Sequence, residues 1–124
     1  MQTQNHARDE DLIDWIHLNC FEKKVFNDIR GWVTTTINNS IRARPNEDPG
    51  VMYMLIPADI KFKDNPTEPV PGYQFLMSIR YSETDAEQYE AFLPVNKAGM
   101  ILSCRDKDDV FVWNPVEDAP NEGR

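Results

Sequence analysis

The stretch YQFLMSIRY, residues 73–81, places large apolar or aromatic side chains at Tyr73, Phe75, Met77, Ile79 and Tyr81, with Gln74, Ser78 and Arg80 between them. A period of two sends successive side chains to opposite faces of a strand, so one face is buried and the other is largely wet. Working outward, Val51–Ile56 is a continuous apolar run, interrupted by Pro57 and resumed at Ile60 and Phe62. This predicts a second strand with a bulge or an edge position at the proline. Residues 64–72 hold three prolines (Pro66, Pro69, Pro71) and read as an exposed loop with a preset shape. Further strands are predicted at 89–95, 99–104 and 110–113.

Before residue 50 the period is helical. Asp9, Glu10 and Asp11 supply N-terminal acids to a pattern at Ile13, Ile16 and Cys20, with Leu18, Phe21, Val25 and Ile29. The spacings of three and four predict a helix over about residues 10 to 30. Gly31 reads as its stop. Val33, Ile37 and Ile41 then recur every four residues up to Pro45, predicting a second helix, with a strand as the alternative because threonines crowd it. Asn46–Gly50 is a strong break. The fold class that follows is α+β, with an N-terminal helix or two helices packed on a four- to five-stranded antiparallel sheet. At 124 residues the chain reads as a single domain, 1–124, with a polar tail at 1–8 and an acidic, proline-containing tail at 114–124.

Composition narrows the function classes. The chain is 40% hydrophobic and 27% charged, the balance of an ordinary globular protein rather than a disordered one. Cys20 and Cys104 have no CxxC spacing, and no secretory leader is legible, so the reading is a cytoplasmic protein with free thiols. The net charge of −8 opposes anionic lipid and nucleic acid, because bound phosphates would add repulsion. Residues 81–124 carry ten acids against four bases, so most of the excess is C-terminal. A field of that sign speeds encounter with a protein that has a basic surface.

The acids fall in two groups. RDKDD, residues 105–109, reads as a polar loop between two strands, since Asp bonds to nearby backbone amides in such loops. An EF-hand counted from Asp106 needs glycine at its sixth position and finds Phe111, so calcium by that route is rejected. Glu83, Asp85 and Glu87 are two residues apart, and on an extended segment they would project on one side about 6.6 Å from one to the next. That spacing approximates successive phosphates of a nucleic-acid strand. With Asp106, Asp108 and Asp109 they form a candidate contact surface, and Trp15, set off the helical stripe beside Asp14, is a candidate aromatic anchor.

Catalytic signals are thin. His17 and Cys20 are three apart on a helix and are the one nucleophile pair the chain offers, but no orienting group is identifiable. Loop-borne acids give no sign of the dry pocket that paired-carboxylate hydrolysis needs. No phosphate-binding, dinucleotide or nucleophile-elbow fingerprint is present, and no cofactor or metal is expected. A short acidic domain without a catalytic signature is a profile shared by proteins that bind and block a basic partner, such as phage-encoded inhibitors of host nucleases and antitoxin-like immunity proteins. That likeness is one of size and charge. The expectation is therefore a non-enzymatic binding protein that occupies a basic, nucleic-acid-binding type of surface on another protein. The rivals are a small enzyme or ligand-binding domain that uses the sheet face, and a structural subunit of an assembly.

Overall fold

The structure, a computed structural model, describes residues 9–116. Two helices, α1 (Asp9–Leu18) and α2 (Lys23–Ala43), precede the strands β1 (Gly50–Phe62), β2 (Asn65–Arg80), β3 (Ala86–Pro94), β4 (Arg105–Asp106) and β5 (Val110–Pro115). All neighbouring strands are antiparallel, in the order β4-β3-β2-β1-β5. The α+β class with N-terminal helices on a five-stranded antiparallel sheet holds.

The single helix over 10–30 does not. Asn19 closes α1 by donating its backbone N–H and its side-chain Nδ2 to the Trp15 carbonyl, and Cys20 Sγ donates to the Ile16 carbonyl. With those carbonyls satisfied, the chain leaves the helix and pairs with Ile101 before α2 begins. Gly31 lies inside α2 rather than ending it, because Val25, Ile29 and Val33 on either side bury one face of a continuous helix. Glycine in a helix interior costs about 1 kcal/mol relative to alanine, less than that packing supplies.

The buried face read from 73–81 is realised, with Phe75, Met77 and Ile79 beneath the helices among Leu55, Leu93, Leu12 and Ile16, but the opposite face is not wet throughout, because Gln74 is buried too. The expected loop at 64–72 is instead strand. Asn65 and residues 70–72 pair with β1, with 66–69 set off the register between them, and the two strands make one long hairpin with a tight turn at Lys63–Asp64. Proline is tolerated because Pro71 turns its backbone away from β1, where its carbonyl accepts from Val95 N–H. Pro66 and Pro69 fall in the stretch 66–69 that is set off the β1 register, where no ladder hydrogen bond is required of them. Pro57 likewise faces away from β2, accepting from Val116, and the irregularity in β1 falls at Ile60–Phe62 rather than at the proline. Residues 99–104 form no strand; only Ile101 makes isolated bridges. Asn114 and Pro115, read as tail, belong to β5, and the expectations for 1–8 and 117–124 lie outside the described residues.

Strand order decides the shape. β4 and β5 lie on opposite edges of the sheet, yet only Lys107–Asp109, a 3-10 turn, separates them. A flat sheet would hold those edges about 19 Å apart at about 4.8 Å per strand, while three 3-10 residues advance about 6 Å. The sheet therefore curls until its edges meet at this end. The face away from the helices becomes an enclosed second core of Ala58, Ile60, Phe62, Phe92 and Val110, with Val70 and Trp113 against it. Phe92 and Trp113 pack with ring centroids 5.0 Å apart.

Candidate functional site

RDKDD is not the hairpin loop read from the sequence; it is the crossover that closes the sheet. Arg105 and Asp106 pair with Phe92 and Ala91 as β4, and the Asp106 carboxylate accepts from Lys107 N–H at 3.0 Å, capping the 3-10 turn. The Asp109 carbonyl accepts from Lys63 N–H at 2.8 Å, which ties the tip of the β1–β2 hairpin to the crossover. Arg105 reaches Asp64 at 3.2 Å and Asp109 at 3.4 Å, and its guanidinium lies 4.2 Å from the centre of the Phe62 ring. Of the three aspartates, one caps and one faces a cation. Asp108 is exposed in the turn between them.

Glu83, Asp85 and Glu87 do not form a row. Glu83 and Asp85 belong to the turn after β2, and of the three only Glu87 lies in a strand. Asp85 accepts from Arg44 at 2.5 Å, while Arg44 also makes two bonds to Glu47 at 2.8 and 2.9 Å and stacks on Tyr81 at 3.8 Å. The Arg44 bond holds the Asp85 carboxyl below its usual range. Glu87 is spent inside the fold: it accepts from Ser40 at 2.6 Å and from Tyr89 at 3.0 Å, and Ser40 in turn accepts from the Tyr81 hydroxyl. Phosphate-like spacing is therefore absent. Glu83 remains exposed.

Trp15 is half-buried, with its ring edge-on to Tyr73 at 5.6 Å between centroids. His17 and Cys20 turn to different partners. His17 stacks on Phe26 at 4.2 Å, whereas the Cys20 thiol is bonded to the helix carbonyl and pushed up to about 11 by burial. Burial pushes the Cys104 thiol up to about 12. Neither thiol carries the depressed pKa of a nucleophile. Among the described residues no three His, Cys, Asp or Glu side chains are grouped to hold a metal, and no helix is long and apolar enough to cross a membrane.

Two concavities were not foreseen. On the open part of the sheet face, Met52, Met54, Leu76, Ser78, Arg80 and Gln88 line a shallow trough of about 230 Å³. Between α2, β3 and β4, a recess of about 210 Å³ is lined by Trp32, Gln88, Tyr89, Glu90, Asp106 and Lys107. The Glu90 carboxylate points to the face of β3 opposite to Tyr89, the face shared by Gln74 and Phe92. It accepts from Gln74 at 2.6 Å and meets Lys107 Nζ at 3.2 Å. Of the recess residues, only Asp106 stood out in the sequence as a site residue. The others come together through the pairing of β4 on β3, which a two-residue strand does not announce.

Comparisons with models of protein families, with curated proteins and with solved structures each return no match to this chain.

Proposed function

We propose that the protein is a non-enzymatic binding domain that occupies a basic surface of a protein partner. The observation that supports this reading is how firmly the acidic crossover is held. Its backbone is tied by the Asp106 cap, by the Lys63–Asp109 bond and by Arg105 between two carboxylates over Phe62. Acids displayed on a pinned turn lose little conformational freedom when a partner docks, so less of the gross interaction is spent on ordering. Asp108 and, at the other end, Glu83 are the electrostatic contacts in this reading, with Asp106 and Asp109 beside the first and Asp85 beside the second. Trp15 is the candidate aromatic anchor. The held geometry favours a folded basic protein over a flexible chain as the partner. Whether that partner's surface is itself a nucleic-acid groove, as for an inhibitor of the phage or immunity type, is part of the same proposal.

The test is affinity capture from host lysate at low and high salt. A basic protein retained at low salt and released at high salt is the expected result, since contacts between exposed charges are screened within about 10 Å at 0.1 M salt. Retention of acidic or neutral proteins alone, insensitive to salt, contradicts the reading.

A further inference from the structure

We propose that the trough on the open part of the sheet is a binding site for a small molecule with an apolar tail and a carboxylate head, the class to which fatty acids belong. It is separate from the acidic crossover and needs no protein partner, so the inference goes beyond the binding reading above. The register of the strands puts the trough on one face. Arg80, Ser78 and Leu76 alternate along β2 and pair with Gly50, Met52 and Met54 of β1, and Ser78 pairs with Gln88 of β3 on its other side. Partners in register share a face, as do residues two apart on a strand. All of these side chains therefore stand on the face away from the helices, which the second core occupies further along.

Burial along that face has a direction. On β2 it runs from exposed Arg80 through half-buried Ser78 and Leu76 to buried Gln74. On β1 it runs from exposed Met52 and Met54 through half-buried Ile56 to buried Ala58 and Ile60. The curl that closes the sheet at the crossover thus leaves a mouth at the opposite end, with the second core as its floor. Small ligands favour such mouths, where the lining is apolar and a few polar groups orient the occupant. Met52 and Met54, 59% and 40% exposed, form the β1 wall. Their flexible thioethers pack against chains of differing shape, and covering them removes apolar surface from water. At about 230 Å³ the trough exceeds the cavity of about 150 Å³ that takes a benzene ring.

Charge fixes the head group. Arg80 is the only charged residue lining the trough, it stands at the rim, and among the described residues it has no carboxylate partner. A guanidinium in that state takes a carboxylate through two parallel bonds. Ser78 and Gln88 beside it add a hydroxyl and an amide that donate. Glu90, the acid of β3 on this face, pairs with Leu76 toward the inner end, and its charge is met by Lys107 at 3.2 Å. The net charge of −8 acts weakly on a bound anion, since screening over about 8 Å at physiological salt leaves the nearest charges in control. A second copy fits less well, because this face would offer the other Arg80 no unpaired acid.

The experiment uses the full chain, labelled at its methionine methyl groups, and octanoate as the probe, with octanol, hexanoate and acetate as controls, in two-dimensional NMR. Octanoate should shift the Met52 and Met54 methyls and leave Met77, buried on the helix side, unmoved. Acetate, without a tail, should shift none of them. Octanol, without the charge, should bind about fivefold more weakly, the upper end for an exposed charge pair, and Arg80→Gln should reduce octanoate binding to the octanol level. Hexanoate should bind about fourfold more weakly than octanoate, because two half-covered methylenes contribute about half of their full transfer. Equal binding of octanoate and octanol, unchanged octanoate binding in Arg80→Gln, or a Met77 shift as large as those of Met52 and Met54 overturns the proposal. So does a concentration-dependent shift of Met52 and Met54 in the protein alone, which assigns the face to a second copy. Salt-sensitive capture of a basic partner is a property of the crossover and stands or falls separately.

Discussion

Single residues carry more of the local structure than their composition announces. Gly31 is the clearest case: it has an open position in the middle of α2, and a Cβ added there meets nothing within 4 Å. Gly31→Ala should therefore stabilise the protein by about 0.5–1 kcal/mol, read as a higher denaturant midpoint with an unchanged slope. Gly72 is the opposite. A Cβ there would lie 2.4 Å from the Leu93 carbonyl oxygen and 2.8 Å from Pro94 Cα, both backbone atoms that cannot move aside. Gly72→Ala should cost about 1–3 kcal/mol, the range for overpacking, and a neutral outcome would show that β2 and β3 can separate there. The two thiols make a third case, with its sign fixed by burial. Both are held protonated, so the folded state binds those protons more tightly than the unfolded chain. The associated stability is intact below about pH 9 and is lost as pH rises toward the folded values of about 11 and 12. At neutral pH Cys20 should react with a thiol reagent about a hundredfold, and Cys104 about a thousandfold, more slowly than free cysteine, while unfolding should restore ordinary rates.

Elements were legible where their period was strong, and were lost where pairing at long range decided them. The alternation of 73–81 and the stripe at Val25, Ile29 and Val33 reflect burial on one face, and burial is written into residue type. The direction in which Pro71 turns its backbone depends on which strand lies alongside, and nothing in the residue itself carries it. For the same reason RDKDD looked like a loop. Five polar residues between two apolar runs fit a hairpin locally, and only the placement of β4 beside β3 and of β5 beside β1 makes them a crossover. The candidate site was legible in part. Asp106 and Asp108 are exposed at the crossover, whereas Asp85 and Glu87 are engaged by Arg44 and Ser40, partners remote in sequence, and Glu87 also by its neighbour Tyr89. This crossover makes a prediction of its own. Arg105→Ala removes two ion pairs and the contact over Phe62, and should cost about 1–2 kcal/mol, mostly through the ring contact and packing because exposed ion pairs contribute little. Asp108→Asn, with the exposed carboxylate alone changed, should be neutral within about 0.5 kcal/mol. Equal stability of the Arg105 variant and the parent would show that the sheet closes without its clamp.

For the whole molecule, the curled sheet divides the surface into a closed end that carries the acidic crossover and an open end that carries the turn at Glu83 and Asp85. The net charge of −8 sets the long-range field, and the pinned turns set where that field is presented at short range. Such an arrangement acts on the rate of encounter more than on the lifetime of the complex, because contacts at an exposed rim steer association and are screened by salt. The measurement that bears most directly on the binding account is the association rate of the captured partner with the parent protein and with the double variant Asp108→Asn, Glu83→Gln, across a series of salt concentrations. Neither substitution touches a hydrogen bond that holds the fold, so both proteins should melt alike. The account predicts slower association of the variant at low salt, an unchanged dissociation rate, and convergence of the two association rates as salt rises. Identical association rates at low salt would contradict it and leave the exposed acids as a means of keeping the domain in solution.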